Sequence, residues 1–508
     1  MAAVPLSGLW CTITRMRAPR LTNRPRSRLR GALFRLAAVA LGISPLIALE
    51  IACRLFGWGL PDVADDPFVG FRGTRPLFVL DAERGRYEIA KNRQTFFRPD
   101  GFAAEKPAGE LRIFCLGGST VQGRPFAIET SFTTWLELGL AAADPSRRWE
   151  VVNCGGVSYA SYRLVPLLAE VLGHEADLII VYTGHNEFLE ERSYGHLKRR
   201  SPVATRALEL AAKSRLFLAL RDFVAGGARP ASPAGRPVLP EEVEALLDYR
   251  GGLEAYERDE DLRRGVVAHF RHNLLRMVRL TEEAGVPLLL VNPVENLADC
   301  PPFKSLPGDG LSADARRRFE ELWETARAHY ARSKHVAVEY LEEAAAIDPL
   351  HAGIRFAIGT CYEDLGRLAE ARAAYLAAKN LDICPLRMTE PLHDALLDVA
   401  SSTGTPLLDA RALFEGESET GIPGADLLID HVHPAIEGHK TIAGALLETL
   451  AALGVVRPRD GWQVRRDELY DAHEASLGDS YYAIGMGRLE GLRTWARGRA
   501  TMIRGEKE

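Results

Sequence analysis

Four short segments carry the residues that could do chemistry. Leu116-Gly117-Gly118-Ser119-Thr120 follows an apolar run, and a serine on such a turn presents its hydroxyl above the carboxyl end of a sheet. The helix that follows offers free N–H groups, which favour developing negative charge. Asn153-Cys154-Gly155-Gly156-Val157-Ser158-Tyr159 comes after a second such run, and Gly184-His185-Asn186-Glu187 after a third. An asparagine there serves as a turn residue or donates its amide to an oxyanion. Asp430-His431-Val432-His433-Pro434 lies near the end, with a carboxylate spaced to orient an imidazole. Two familiar motifs fail on inspection. The G-x-S-x-G elbow is broken by Val121, and the P-loop by Arg124-Pro125 where Lys-Ser/Thr is required.

These segments need rigid supports, and the apolar pattern supplies them. Strands are predicted at Leu111–Leu116, Glu150–Asn153, Asp177–Thr183, Val286–Asn292 and Thr405–Asp409. Helices are predicted around Ser131–Ala143, Tyr162–Gly173 and His269–Ala284. Near-continuous apolar strands alternating with helices imply an α/β fold, a doubly wound parallel sheet covered on both faces. Two stretches interrupt it. Residues 188–262 read as charged helices with a Pro/Ala/Gly segment from Ala225 to Pro240, and residues 312–382 are helical throughout. Within the latter, Ala357, Gly359, Tyr362, Gly366, Ala371 and Tyr375 resemble the tetratricopeptide repeat (TPR), and Trp323 to Pro349 looks like a degenerate copy. About three copies are needed for a free-standing array, so this insertion is expected to pack on the α/β domain. A protein partner is its possible ligand.

In this order the four segments resemble the SGNH (GDSL-like) hydrolase superfamily, over roughly residues 108–190, 265–305 and 385–450. The resemblance implies a five-stranded, flavodoxin-like sheet. It also implies Ser119 as nucleophile, His433 as base, Asp430 as its orienting acid and Asn186 as an oxyanion donor. The second oxyanion donor falls on Ser158 where the family has glycine, with Gly156 as the alternative. Candidate substrate-pocket residues are His185, Asn292, Asn296 and Arg387. No cofactor is expected. A metal site built from Asp430, His431, His433 and His439 competes for the same residues as the triad and is not favoured. The implied activity is hydrolysis of an O-acyl ester, with acetyl the expected group, on a glycan or envelope component through an acyl-serine. Acyl transfer to a surface polysaccharide uses the same site. A repeat-based scaffold with a silent hydrolase domain is the third reading.

Composition bounds these readings. With 63 Lys+Arg against 68 Asp+Glu, the net charge of −5 disfavours a nucleic-acid binder. Seven scattered cysteines give no disulfide framework, and Cys115 and Cys154 are expected as buried fillers. Seven arginines between Arg15 and Arg30 precede Leu36–Leu49, which is free of charge. This pattern predicts an uncleaved signal anchor over 32–58, with a basic cytoplasmic tail at 1–31 and the remainder periplasmic or extracellular. The expected organisation continues with a connector at 59–107, the first part of the hydrolase domain at 108–311 and its second part at 383–452. A helical packing appendage occupies 453–508.

Overall fold

The computed structural model describes residues 28–56, 75–190, 214–217, 219–220 and 252–497. Most of the expected insertion at 188–262, including Ala225 to Pro240, and the arginines before residue 28 lie outside the described residues. Two compact units emerge, one from Met1–Pro61 with Leu210–Arg229 and the other from the rest of the chain. In the first, helix α1 runs from Arg28 to Leu55, with Leu41, Leu46, Ile47, Leu49, Ile51 and Leu55 exposed. The Glu50 carboxylate accepts from the Leu216 and Arg215 amides at 2.8 and 3.1 Å. Among the described residues no helix is long and apolar enough to cross a membrane. Several side chains of Leu36–Leu49 fall outside that description, as do residues 57–74.

The second unit is built on a five-stranded parallel sheet in the order β5-β4-β6-β7-β8. Its strands are β4 (Glu110–Gly117), β5 (Arg148–Gly155), β6 (Leu178–Tyr182), β7 (Leu288–Asn292) and β8 (Leu407–Asp409). Both faces are covered, as the buried centres of these strands require. On one face lie α4 (Ser161–Val171), α5 (Glu260–Ala284) and α10 (Glu390–Thr403). On the other lie α3 (Phe132–Ala143), α11 (Ala410–Glu417), α12 (Ile436–Ala452) and α13 (Trp462–Ser476). Cys115 and Cys154 are buried, unpaired thiols in adjacent strands.

Two parts differ from expectation. The connector at 59–107 is not featureless, because β1 (Phe78–Asp81), β2 (Arg86–Ile89) and β3 (Gly101–Ala103) form a small antiparallel sheet. Strands of three or four residues are too short to show a period in sequence. Phe78, Ile89 and Phe102 nevertheless bury themselves in the main core, where Phe102 packs edge-on to Phe114. Helix α5 also begins at Glu260, nine residues before the predicted start, with the Asp259 carboxylate capping the Leu262 amide.

The region 312–382 forms two helical hairpins, α6 (Ala313–Tyr330) with α7 (Lys334–Ile347) and α8 (Ala352–Asp364) with α9 (Leu368–Leu381). They share one core, where a Cβ on Gly359 would lie 2.6 Å from the Tyr375 ring. The insertion is tied to the sheet through charge. Lys379, near the end of α9, bonds to Glu295 after β7 and to Glu390 of α10, the latter at 2.7 Å. Helix α14 (Asp479–Arg497) follows α13, and Tyr481 Oη lies 2.8 Å from Thr130 Oγ1.

Candidate active site

Strand β4 ends at Gly117, and Ser119 opens the single-turn helix α2 (Ser119–Gln122). Side chains hold this turn from below. Gln122 donates to Phe96 O at 2.7 Å, and Asn153 donates to Val121 O. Gly155 lets the neighbouring strand approach, because a Cβ there would lie 2.2 Å from the Gln122 nitrogen. Asn153 is thus structural, spending its amide on Val121 O and Thr133 Oγ1.

The imidazole of His433 reaches Ser119 across 314 positions of sequence. Its Nε2 lies 2.7 Å from Ser119 Oγ, and its Nδ1 lies 2.6 Å from Asp430 Oδ2. A carboxylate can only accept, so Nδ1 carries the proton and Nε2 is left to receive one from the serine. Asp430 and His433 do not sit on a helix start. They occupy a tight loop before α12, closed by the bridge Leu428–Pro434 and by the Ile429 amide on His433 O at 2.9 Å. Asp430 Oδ1 accepts from the amides of Val432 and His433 at 2.9 and 2.8 Å. Burial opposes the Asp430 charge, yet His433, His431 and these bonds outweigh it and hold the carboxyl well below its usual range.

The candidate oxyanion donors come from two loops. Asn186 Nδ2 donates one hydrogen to Tyr159 O at 3.1 Å and has a second to give. A Cβ on Gly118 would meet this nitrogen at 2.6 Å, so only glycine lets the amide sit beside the nucleophile turn. Gly156 is excluded as a donor, because its N–H is bonded to Gly117 O at 2.9 Å. Ser158 has a left-handed backbone (φ 63°), and its N–H makes no hydrogen bond among the described residues. The loop is held through Tyr159, whose hydroxyl accepts from Arg93 and whose ring packs on Phe97. The Val157 amide completes this by bonding to Phe96 O. These contacts from residues 93–97 were not anticipated, since nothing in that stretch marks it out.

The candidate pocket residues divide. His185 lines the cleft beside Ser119, with Nδ1 accepting from the Met388 amide, and burial pushes its pKa down to about 3. Asn296, Asn292 and Arg387 do not line that cleft. Asn296 donates to Asp430 O at 3.2 Å, and its amide bonds to His431 O, so it braces the acid–base loop. Arg387 is buried and donates to the carbonyls of Asn296 and Cys300 at 2.7 and 2.6 Å, holding the segment that carries Asn296. Asn292 bonds Asp409 and His393. Sequence cannot separate a lining polar residue from a bracing one, because spacing along the chain does not show which groups it meets.

His439 accepts the Phe132 amide on Nδ1 at 3.3 Å. Among the described residues, one group of potential metal ligands lies close together, Glu295, Glu390 and His393. The Lys379 ammonium is bonded to both of its carboxylates, so that cluster already holds a cation. A relay of carboxylate, imidazole and hydroxyl beside preorganised N–H donors can deprotonate Ser119 and hold an oxyanion.

No protein-family profile matches this chain, and no curated protein does. Among solved structures, a lipase/acylhydrolase from Enterococcus faecalis aligns over 69% of this chain and 100% of its own, with 11% identity and TM-score 0.31. The acetylxylan esterase Axe2 from Geobacillus stearothermophilus aligns over 67% and 94%, with 12% identity and TM-score 0.31. A G-D-S-L family lipolytic protein from Desulfitobacterium hafniense aligns over 67% and 99%, with 12% identity and TM-score 0.29. Likenesses this remote carry no argument about activity, which rests on the geometry of the site.

Proposed function

We propose that this protein is a serine esterase of the SGNH type that cleaves an O-acyl ester through an acyl-serine. The observation that carries this reading is the continuous relay Asp430–His433–Ser119 beside Asn186. His433 Nε2 takes the Ser119 proton as Oγ attacks the ester carbonyl, and Asp430 stabilises the imidazolium. The oxyanion is received by Asn186 Nδ2 and the N–H groups of Ser119 and Ser158. Collapse of the adduct breaks the carbon–oxygen bond, and the imidazolium returns its proton to the leaving alcohol. Water, deprotonated in turn by His433, then releases the acid; an alcohol in its place gives acyl transfer. The cleft against Ser119 is lined by Gly118, Thr120, Thr183, Gly184, His185 and Asn186. A fluorophosphonate probe should label Ser119, and Ser119→Ala should abolish both labelling and 4-nitrophenyl acetate turnover. Turnover retained by the folded variant would overturn the assignment.

The same reading places the enzyme outside the cytoplasm on an N-terminal anchor. Helix α1 has 28 residues, about 42 Å at 1.5 Å per residue, and displays exposed leucines and isoleucines behind an arginine-rich start. Alkaline phosphatase fused after residue 60 should be active in cells, whereas an inactive fusion would place the domain on the cytoplasmic side. The hairpin α8/α9 is read as tetratricopeptide-like.

A further inference from the structure

Helix α2 is a single turn, and four residues of helix do not hold themselves together. The segment that follows takes up its carbonyls. The amides of Gly123 and Arg124 bond to Thr120 O and Ser119 O, each at 3.1 Å, and Ser131 Oγ donates to Val121 O at 2.7 Å. Residues 123–131 thus leave the nucleophile turn and come back to it. Gly123 makes the reversal with a left-handed backbone (φ 85°), and a Cβ there would lie 2.9 Å from Ser131 Cβ. The place of Ser119 before His433 Nε2 therefore depends on how this loop is held, as well as on Asn153 beneath the turn.

Two helices from the far end of the chain hold the outer side of the loop. Tyr481 Oη on α14 accepts the Ala127 amide at 3.1 Å and lies 2.8 Å from Thr130 Oγ1. Arg488 Nη1 donates to Phe126 O at 2.9 Å. Between them stands Gly485, where a Cβ would overlap the Phe126 ring. Tyr481, Gly485 and Arg488 fall at i, i+4 and i+7, one stripe of the helix turned onto the loop. The Phe126 ring stacks on Tyr481 at 6.1 Å and meets Tyr482 edge-on at 6.2 Å. From α13, His473 Nε2 donates to Glu129 O at 2.8 Å. Tyr470 Oη on the same helix donates to Trp135 O at 2.7 Å, and the Trp135 indole bonds Thr130 O at 3.1 Å.

The kind of contact matters. Apolar burial stabilises a docked helix without fixing its position closely, because it has no direction. Hydrogen bonds have a length and an angle, and α14 directs a hydroxyl and a guanidinium at main-chain atoms of one short loop. Its Ile484 and Met486 meanwhile stay exposed. The bond that this loop serves is exacting, since Ser119 Oγ lies 2.7 Å from His433 Nε2.

We propose that Tyr481 and Arg488 are positioning residues, through which α14 holds the 123–131 loop and so the placement of Ser119 against His433. Their role in turnover rests on the esterase reading; the mechanical link from α14 to the nucleophile turn does not. The last helix of the chain then supports the reaction although none of its residues touches substrate.

The test uses the full-length chain in detergent, as Tyr481→Phe, Arg488→Gln and the double variant. Titration with fluorophosphonate counts competent sites, so that a smaller folded fraction is not mistaken for a slower enzyme. Per titrated site, the double variant should show kcat on 4-nitrophenyl acetate lowered about tenfold with KM within about twofold, since a 1 Å misplacement can cost roughly 10²-fold. Arg488→Lys, which keeps a donor for Phe126 O, should recover most of what Arg488→Gln loses. In hydrogen exchange, the Gly123 and Arg124 amides should lose most of their protection in the double variant. An unchanged kcat per titrated site in the folded double variant would overturn the proposal. A parent protein that does not react with fluorophosphonate would sink the esterase reading alone. Exchange at Gly123 and Arg124 then decides the proposal, and unaltered protection there overturns it.

Discussion

Asp430 gives its two carboxylate oxygens separate tasks. One faces His433 Nδ1 and the other is held by two backbone amides, so the side chain cannot rotate away from the imidazole. Asn186 is divided in the same manner, with one amide hydrogen anchored on Tyr159 O and one free for the substrate. Asn186→Ala should therefore lower kcat on 4-nitrophenyl acetate by about 10²–10³-fold, the usual cost of one oxyanion donor. Its KM should change little, because the lost bond forms in the transition state; an unchanged kcat would remove Asn186 from the site. Ser119, Asn186, Asp430 and His433 were legible in sequence as candidates because each sits in a short, local pattern, the first two just past strand ends and the other two in a loop before α12. The choice between Gly156 and Ser158 was not, since it depends on which amide the sheet has already used.

Helices α3 and α12 meet through a buried histidine. His439 Nδ1 accepts the Phe132 amide at the start of α3, an arrangement open only to the neutral ring. Burial lowers its pKa to about 3, against 6.5 for an unburied imidazole. Below pH 6.5 the unfolded chain binds a proton that the folded chain refuses, so stability falls as pH drops and the loss continues to about pH 3. One such group contributes a slope of about 1.4 kcal/mol per pH unit. His439→Gln, whose side-chain oxygen can accept the same amide, should flatten the acid limb of a stability–pH curve measured by urea unfolding. An unaltered limb would show that the ring protonates without cost. At this scale the sequence foresaw the five strands of the parallel sheet, most of which carry an apolar run bounded by turn residues. The small sheet β1–β3 escaped notice because its strands, three or four residues long, show no period of their own.

Across the molecule, the helical insertion and the sheet are joined by buried charge. Lys379 lies between Glu295 and Glu390, and Arg411 reaches Glu390 at 3.0 Å. Burial opposes the charge on Glu295, but Lys379, His393 and Arg411 outweigh it and hold the carboxyl well below its normal range. Lys379→Met leaves that carboxylate with too little compensation and should destabilise the fold by about 3–5 kcal/mol, read by denaturant unfolding. A loss under 1 kcal/mol would mean that apolar packing alone holds the insertion. The appendage at 453–508 also has a position that composition could not reveal. Helix α14 lies against the loop after the nucleophile turn, where Arg488 donates to Phe126 O at 2.9 Å and Tyr481 bonds to Thr130.

By itself the sequence marked out the five strands of the parallel sheet, the helical character of 312–382 and Ser119, Asn186, Asp430 and His433 as candidates, because local patterning encodes all of them. Tertiary structure alone decided what surrounds them. It assigned Asn296 to bracing the acid–base loop and Arg387 to the carbonyls of Asn296 and Cys300, committed the Gly156 amide while leaving that of Ser158 without a bond among the described residues, and tied the insertion to Glu295 and Glu390 through Lys379. Those outcomes depend on which groups from distant segments meet, and on the rule that a buried polar group must find a partner. No spacing along the chain records either.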